Sequence, residues 1–170
     1  MLLVTGGAGF VLCNVVHRWL EADPESSAVV MDLSRAWDAT VVGFLQPYLD
    51  DGRLQFFEAS VADASGWAAL AAAHGTGFTH IVSGAAITPT RADEEAGAAN
   101  IMAVNLNGCL HGLEFARSCI ALQRFVFISS DAVYEYPGLV RPLLEGETPP
   151  TTMGLYCLSK YAGENAVARW

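Results

Sequence analysis

Near its start the chain runs Leu2-Leu3-Val4-Thr5-Gly6-Gly7-Ala8-Gly9-Phe10, an apolar segment that opens directly into a glycine-rich turn. Short apolar runs of this kind are strands buried on both faces, as in parallel sheets. Glycines let the backbone reverse and approach a bulky anion that side chains would hold away. From Val11 to Leu20, apolar residues fall at 11, 12, 15, 16, 19 and 20, the spacing of one helical face. Strand, glycine turn and helix in that order put free N–H groups and the positive end of a helix dipole over the turn, where a dinucleotide pyrophosphate is held. Gly6 and Gly9, with Phe10 and Val11 opening the helix, are the candidates to hold it. Taken alone, the glycines are explained as well by a structural turn.

The second signal is Ala28-Val29-Val30-Met31-Asp32, another apolar strand, here ending in a carboxylate. It lies roughly 20 residues past the glycines, where an acidic side chain accepts both ribose hydroxyls of a dinucleotide. Asp32 repels a 2′-phosphate and so favours NAD over NADP; Arg35 is a mild counter-signal. A solvated Asp at a strand end is the plainer alternative.

With 170 residues, 52% of them hydrophobic, the chain can bury a substantial core as one domain. Its net charge of −9 and nine Lys and Arg leave no basic surface for nucleic acid or anionic membrane. An anionic ligand must therefore be held by backbone amides and single cations. Cys13, Cys109, Cys119 and Cys157 form no paired motif and fit a reducing compartment. His17, His74, His80 and His111 show no metal-ligand spacing, so no metal site is expected. No signal sequence and no run of about 18 apolar residues is present, and the expectation is a soluble, cytoplasmic protein.

Strands and helices alternate along the chain. Further strands are predicted at Leu54–Glu58, Thr79–Ser83 and Gln123–Ile128. Helices are predicted after Asp63, which is expected to cap its helix with its side chain, from about Asn100 to Ser118, and from Met153 to Trp170. Ser34–Leu49 reads as a loop with an irregular helix, Thr88–Gly97 as a charged loop and Pro142–Pro150 as a proline-bearing one. This alternation implies an α/β fold, a doubly wound parallel sheet with helices on both faces in three layers. Ligands then bind beyond the carboxyl ends of the strands. The glycine turn, Asp32, Ala85-Ala86 and Ser129-Ser130 each fall just past a strand and converge on one crevice. Small residues at 84 to 86 let a flat ring lie against the backbone, although a tight turn explains them almost as well.

Tyr156 and Lys160 stand one helical turn apart and share a face. A phenol titrates near about 10 and is a weak base at neutral pH, but a fixed ammonium beside it favours the phenolate. Ser130 is placed to hydrogen-bond a substrate oxygen and hold it against the tyrosine. Outside this context, Tyr and Lys at this spacing form a solvated helix face. With a strand-end serine and a dinucleotide turn upstream, they read as catalytic.

These segments carry a family resemblance. VTGGAGF resembles the TGxxGxxG opening of the extended short-chain dehydrogenase/reductases, the NAD-dependent epimerase/dehydratase group, with Thr5, Gly6 and Gly9 matching and Leu12 at the third glycine. That glycine lets helix and strand pack closely, so Leu12 is expected to push the helix outward or shift it. FISSDAVYEYPG is similar to the SSxAVYG strand end, YCLSK to YxxxK, and GETPPTTMGLY to the loop before the active tyrosine. The resemblance implies a Rossmann fold, Ser130, Tyr156 and Lys160 as catalytic residues, and NAD as cofactor. It also implies a sugar or nucleotide-sugar substrate. Tyr156 and Lys160 would touch the cofactor too, with Asn105 of AVNLNG supporting the proton-relay region. Ser60 and Val61 stand where an Asp and an apolar residue meet the adenine, and Glu135 stands where a glycine is usual. Asp131 is followed by Ala132, whereas relatives that eliminate water carry Asp-Glu; epimerase or dehydrogenase chemistry is therefore expected over dehydration. Family members are longer, so the chain is expected to be truncated, lacking the substrate-gripping region. The helices from Asn100 and Met153 resemble a four-helix dimer contact, which implies a homodimer. The rival reading is a non-catalytic NAD-binding or sensing protein, to which Leu12 and Ser60 point.

Overall fold

Strands buried on both faces, joined through amphipathic helices, leave a parallel sheet as the arrangement that pairs every inner backbone group. The computed structural model describes residues 1–35, 37–134, 142–145 and 154–170. It contains β1 (Leu2–Thr5), α1 (Phe10–Ala22), β2 (Ala28–Asp32), α2 (Ala39–Asp50), β3 (Leu54–Glu58) and α3 (Ala64–His74). These are followed by β4 (His80–Ser83), α4 (Arg91–Met102), a π-helical turn (Ala103–Asn107), α5 (Gly108–Ser118), β5 (Arg124–Phe127), a 3-10 turn (Asp131–Tyr134) and α6 (Leu155–Arg169). The sheet order is β3-β2-β1-β4-β5, all parallel.

Register positions the site. Thr5 pairs with Met31 and Ser83, Met31 with Phe57, and Ser83 with Phe127, so all five carboxyl ends lie in one row. The strand order reverses at β1 and β4, and a crevice opens there. Alternation along β1 divides the core in two. Leu2 and Val4 face Val16, Leu20 and Leu45 of α1 and α2, while Leu3 faces the opposite layer with Trp67, Leu70, Phe78 and Phe115.

The expected strands and the parallel αβα layering are present, with three local differences. Thr88–Gly97 is helical from Arg91: the Thr90 hydroxyl accepts the Asp93 N–H, and the Asp93 carboxylate accepts the Thr90 N–H, a reciprocal box that offsets the unpaired amides of the first turn. Gly97 interrupts that helix with φ −146°, ψ 36° instead of ending it. Asp63 sits at the start of α3 but its side chain caps nothing; its main-chain carbonyl accepts the Gly66 N–H instead. α2 is helical from Ala39 with Pro47 inside it, and it is Asp38 whose carboxylate accepts the Thr40 and Val41 N–H groups at 2.9 Å. Glu135, Met153 and most of the loop expected from Pro142 lie outside the described residues.

α1 ends without a glycine, and its carbonyls are closed from a distance. Arg53 donates one guanidinium nitrogen to the carbonyls of Leu20, Asp23 and Ser26 at 2.9, 3.1 and 3.4 Å. Arg53→Met is expected to lower the unfolding free energy by about 2 kcal/mol in urea denaturation. Arg53→Lys should recover only part of it, because a single ammonium cannot also replace the bond that Arg53 Nε donates to Asp51 at 3.2 Å.

Candidate active site

Gly6 turns the chain out of β1 at φ +76°, and a Cβ there would stand 2.7 Å from the main-chain N and Cα of Ala85. Only hydrogen fits between the two loops. Thr5 holds the far side: its hydroxyl accepts the N–H groups of Gly84 and Ala85 at 3.1 and 3.3 Å. α1 begins at Gly9 with no side-chain cap, so its first amides remain for a ligand. Phe10, 87% exposed, and Val11 stand on that first turn. At the end of β2 the Asp32 carboxylate accepts the Ala8 N–H at 3.0 Å and the Leu33 N–H at 2.8 Å, fastening the glycine turn to the neighbouring strand.

Leu12 does not stand proud of the core. It is buried beside Leu2 and Val4, and its Cδ1 occupies the space into which a Cβ on Gly84 would project. The missing side chain at 84 makes room for the extra one at 12, which is how the helix accommodates Leu12 over the sheet.

The opposite rim comes from α6. Lys160 is 2% exposed and donates from its ammonium to the Ile128 carbonyl at 2.9 Å. That ammonium lies 5.2 Å from the Phe127 ring centre and 5.8 Å from that of Tyr156. Burial holds the lysine below its ordinary range, opposed in part by the nearby Cys109 thiol. Burial pushes the Cys109 thiol up, against a hydrogen bond with Ser83 and the lysine charge. Tyr156, half-buried, follows Gly154 in the first turn of α6, and its N–H donates to Glu94 of α4 at 3.3 Å. A Cβ at Gly154 would lie 2.9 Å from that carboxylate, so glycine permits the approach.

One cleft of about 840 Å³ joins the two rims. Of the sequence candidates, Gly6, Gly9, Phe10, Val11, Asp32, Ser60, Val61, Ala85, Ala86, Tyr156 and Lys160 line it. Ser130 and Asn105 do not. The Ser130 hydroxyl donates to Asp131 and accepts the Ala132 N–H, both at 3.2 Å, which starts the 3-10 turn. Asn105, 1% exposed, lies behind the wall. It accepts the Ile87 N–H at 2.7 Å and donates to the Ile87 carbonyl and the Ser159 hydroxyl at 2.9 and 3.1 Å. Sequence reasoning passed over Thr88 and Asn100, and placed Ser129 at the crevice without giving it a role; all three line the cleft. Ser129 carried a signal, since neighbouring strand-end residues face opposite sides and only one serine of the pair can face the crevice.

The profile of the NAD dependent epimerase/dehydratase family matches residues 2–170. The chain belongs to that family. No curated protein matches its sequence. Among solved structures, the family member is similar to the Bordetella bronchiseptica enzyme WbmG in complex with NAD and UDP, at 24% identity and TM-score 0.77, covering 98% of this chain and 48% of that one. It is similar to Thermotoga maritima UDP-glucose 4-epimerase with UDP-glucose, at 23% identity and TM-score 0.78, covering 99% and 50%. A third is Thermus thermophilus UDP-glucose 4-epimerase in complex with NAD, at 28% identity and TM-score 0.76, covering 99% and 50%. The chain thus spans about half the length of these structures, and they share its Rossmann fold.

The contact between positions 12 and 84 makes the two residues interdependent. Gly84→Ala is expected to cost about 1–3 kcal/mol by overpacking against Leu12. Combined with Leu12→Ala it should cost less than the sum of the single changes, measured as a coupling energy in a urea double-mutant cycle.

Proposed function

We propose that this chain forms the cofactor-binding and proton-transfer part of an NAD-dependent enzyme that epimerises or dehydrogenates a sugar, in the form of a nucleotide sugar. The observation that carries it is one cleft with a glycine turn, an uncapped helix start and Asp32 at one end, and Tyr156 with a buried Lys160 at the other. The residues present fit a dinucleotide: no side chain caps the first amides of α1, and that first turn lines the cleft beside the glycines. The first amides of α1 would take the pyrophosphate, Asp32 the adenosine ribose, and Ala85 and Ala86 a flat ring. Bound NAD supplies a hydride acceptor.

At the reacting end Tyr156 removes the proton of a sugar hydroxyl. Lys160 stabilises the phenolate by its charge: an ammonium fixed to the Ile128 carbonyl and shielded from water acts at low local dielectric. Ser130, one residue beyond the cleft-lining Ser129, would have to leave its Asp131 partner and move toward the cleft to steady the substrate oxygen. Asp131 followed by Ala132 offers no Asp-Glu pair for eliminating water, which supports epimerisation or oxidation over dehydration.

Tyr156→Phe removes only the phenol oxygen and should leave NAD affinity unchanged while abolishing turnover across a panel of nucleotide sugars, followed as reduced-cofactor absorbance for net oxidation and as the epimeric product sugar by chromatography for epimerisation. Undiminished turnover would refute the assignment. Lys160→Met separates charge from packing. Because burial lowers the lysine's folded value beneath its unfolded one, folding penalises the charged form at every pH below both, and the penalty is relieved as pH rises through the folded value. The Met variant loses that penalty along with the bond to Ile128. Its unfolding free energy at neutral pH is expected to stay within about 1 kcal/mol of wild type, with turnover lost.

A further inference from the structure

On α6, Tyr156, Lys160 and Glu164 recur every four residues and share a face. The first two line the cleft; the third reaches the strand that ends beside it. Gly163 brings the helix onto β5, since a Cβ there would overlap the Phe127 ring. From this close seat, two successive turns of α6 fasten two successive residues beyond β5. Lys160 donates to the Ile128 carbonyl, and Glu164 accepts the Ser129 hydroxyl.

A serine hydroxyl has one proton and two lone pairs, and a carboxylate can only accept. The proton of Ser129 is therefore committed to Glu164. Ser129 also lines the cleft, next to Tyr156 and Lys160, so the oxygen it offers there has acceptor capacity alone.

We propose that Ser129, oriented by Glu164, contacts the nicotinamide riboside end of the bound dinucleotide by accepting a hydrogen bond from a ribose hydroxyl or the carboxamide N–H, with Glu164 as a positioning residue. This rests on the reading of the cleft as a dinucleotide site. It adds a contact at the reacting end and gives the glutamate a purpose beyond joining helix to strand.

The test is binding of NAD, ADP-ribose and ADP to the wild type and to Ser129→Ala, Glu164→Ala and Glu164→Gln, by titration calorimetry. ADP lacks the nicotinamide riboside, so it reports general damage to the cleft. Ser129→Ala should weaken NAD about tenfold, the worth of one well-placed hydrogen bond, and leave ADP unchanged. Glu164→Ala should do the same in part, and Glu164→Gln, whose amide oxygen can still accept from Ser129, should bind NAD more tightly than Glu164→Ala. A loss confined to NAD assigns the donor to the carboxamide, and a loss shared with ADP-ribose assigns it to the ribose; either supports the proposal. Unchanged NAD affinity in Ser129→Ala or in Glu164→Ala overturns it, as does a parallel fall in ADP affinity. A wild type that binds ADP and NAD equally, or neither, overturns the dinucleotide reading and this contact with it.

Discussion

Where β1 and β4 diverge, the backbones of Gly6 and Ala85 meet with no space for a methyl group between them. That approach is the constraint on which the site depends. It requires φ +76° at Gly6, a conformation open to glycine at little cost, and it sets α1 with its uncapped start over the ends of the strands. The Thr5 hydroxyl and the Asp32 carboxylate then fix the two flanks of the turn through main-chain amides. The turn is thus built from backbone groups, in a chain whose net charge of −9 leaves no basic surface.

The other end of the cleft follows a different logic. A lysine 2% exposed is costly to bury, and the fold meets that cost with a carbonyl acceptor and aromatic faces. Stability alone favours an apolar residue there. A charge retained in such a place, beside a tyrosine on the cleft, marks a candidate functional site rather than a packing solution.

Much of the architecture was legible because its signals are local. The apolar runs at 2–5, 28–32 and 80–83 read as buried strands by length and flanking turns, and Gly6 and Asp32 by their spacing. The start of α4 was also written locally, in Thr90 and Asp93, but the charge of that stretch and Pro89 suggested a loop. Other features are invisible along the chain. Leu12 looks disruptive until Gly84, 72 positions away, is seen to have vacated the same volume. Ser129 and Ser130 look interchangeable until the 3-10 turn claims one hydroxyl and α6 the other. Glu94 of α4, which accepts from the start of α6, and Asn105 behind Ile87 act through contacts between distant segments, which no periodicity reports.

Asn105 grips both main-chain groups of Ile87 on the cleft wall and, through the Ser159 hydroxyl, reaches the carbonyl of Tyr156, to which Ser159 donates at 2.7 Å. The segment after β4 and the first turns of α6 are therefore pinned to a single amide. A displacement of the wall at Ile87 is therefore carried through two side chains to the tyrosine's own peptide, so the shape of the cleft on one side and the seating of Tyr156 on the other are mechanically linked.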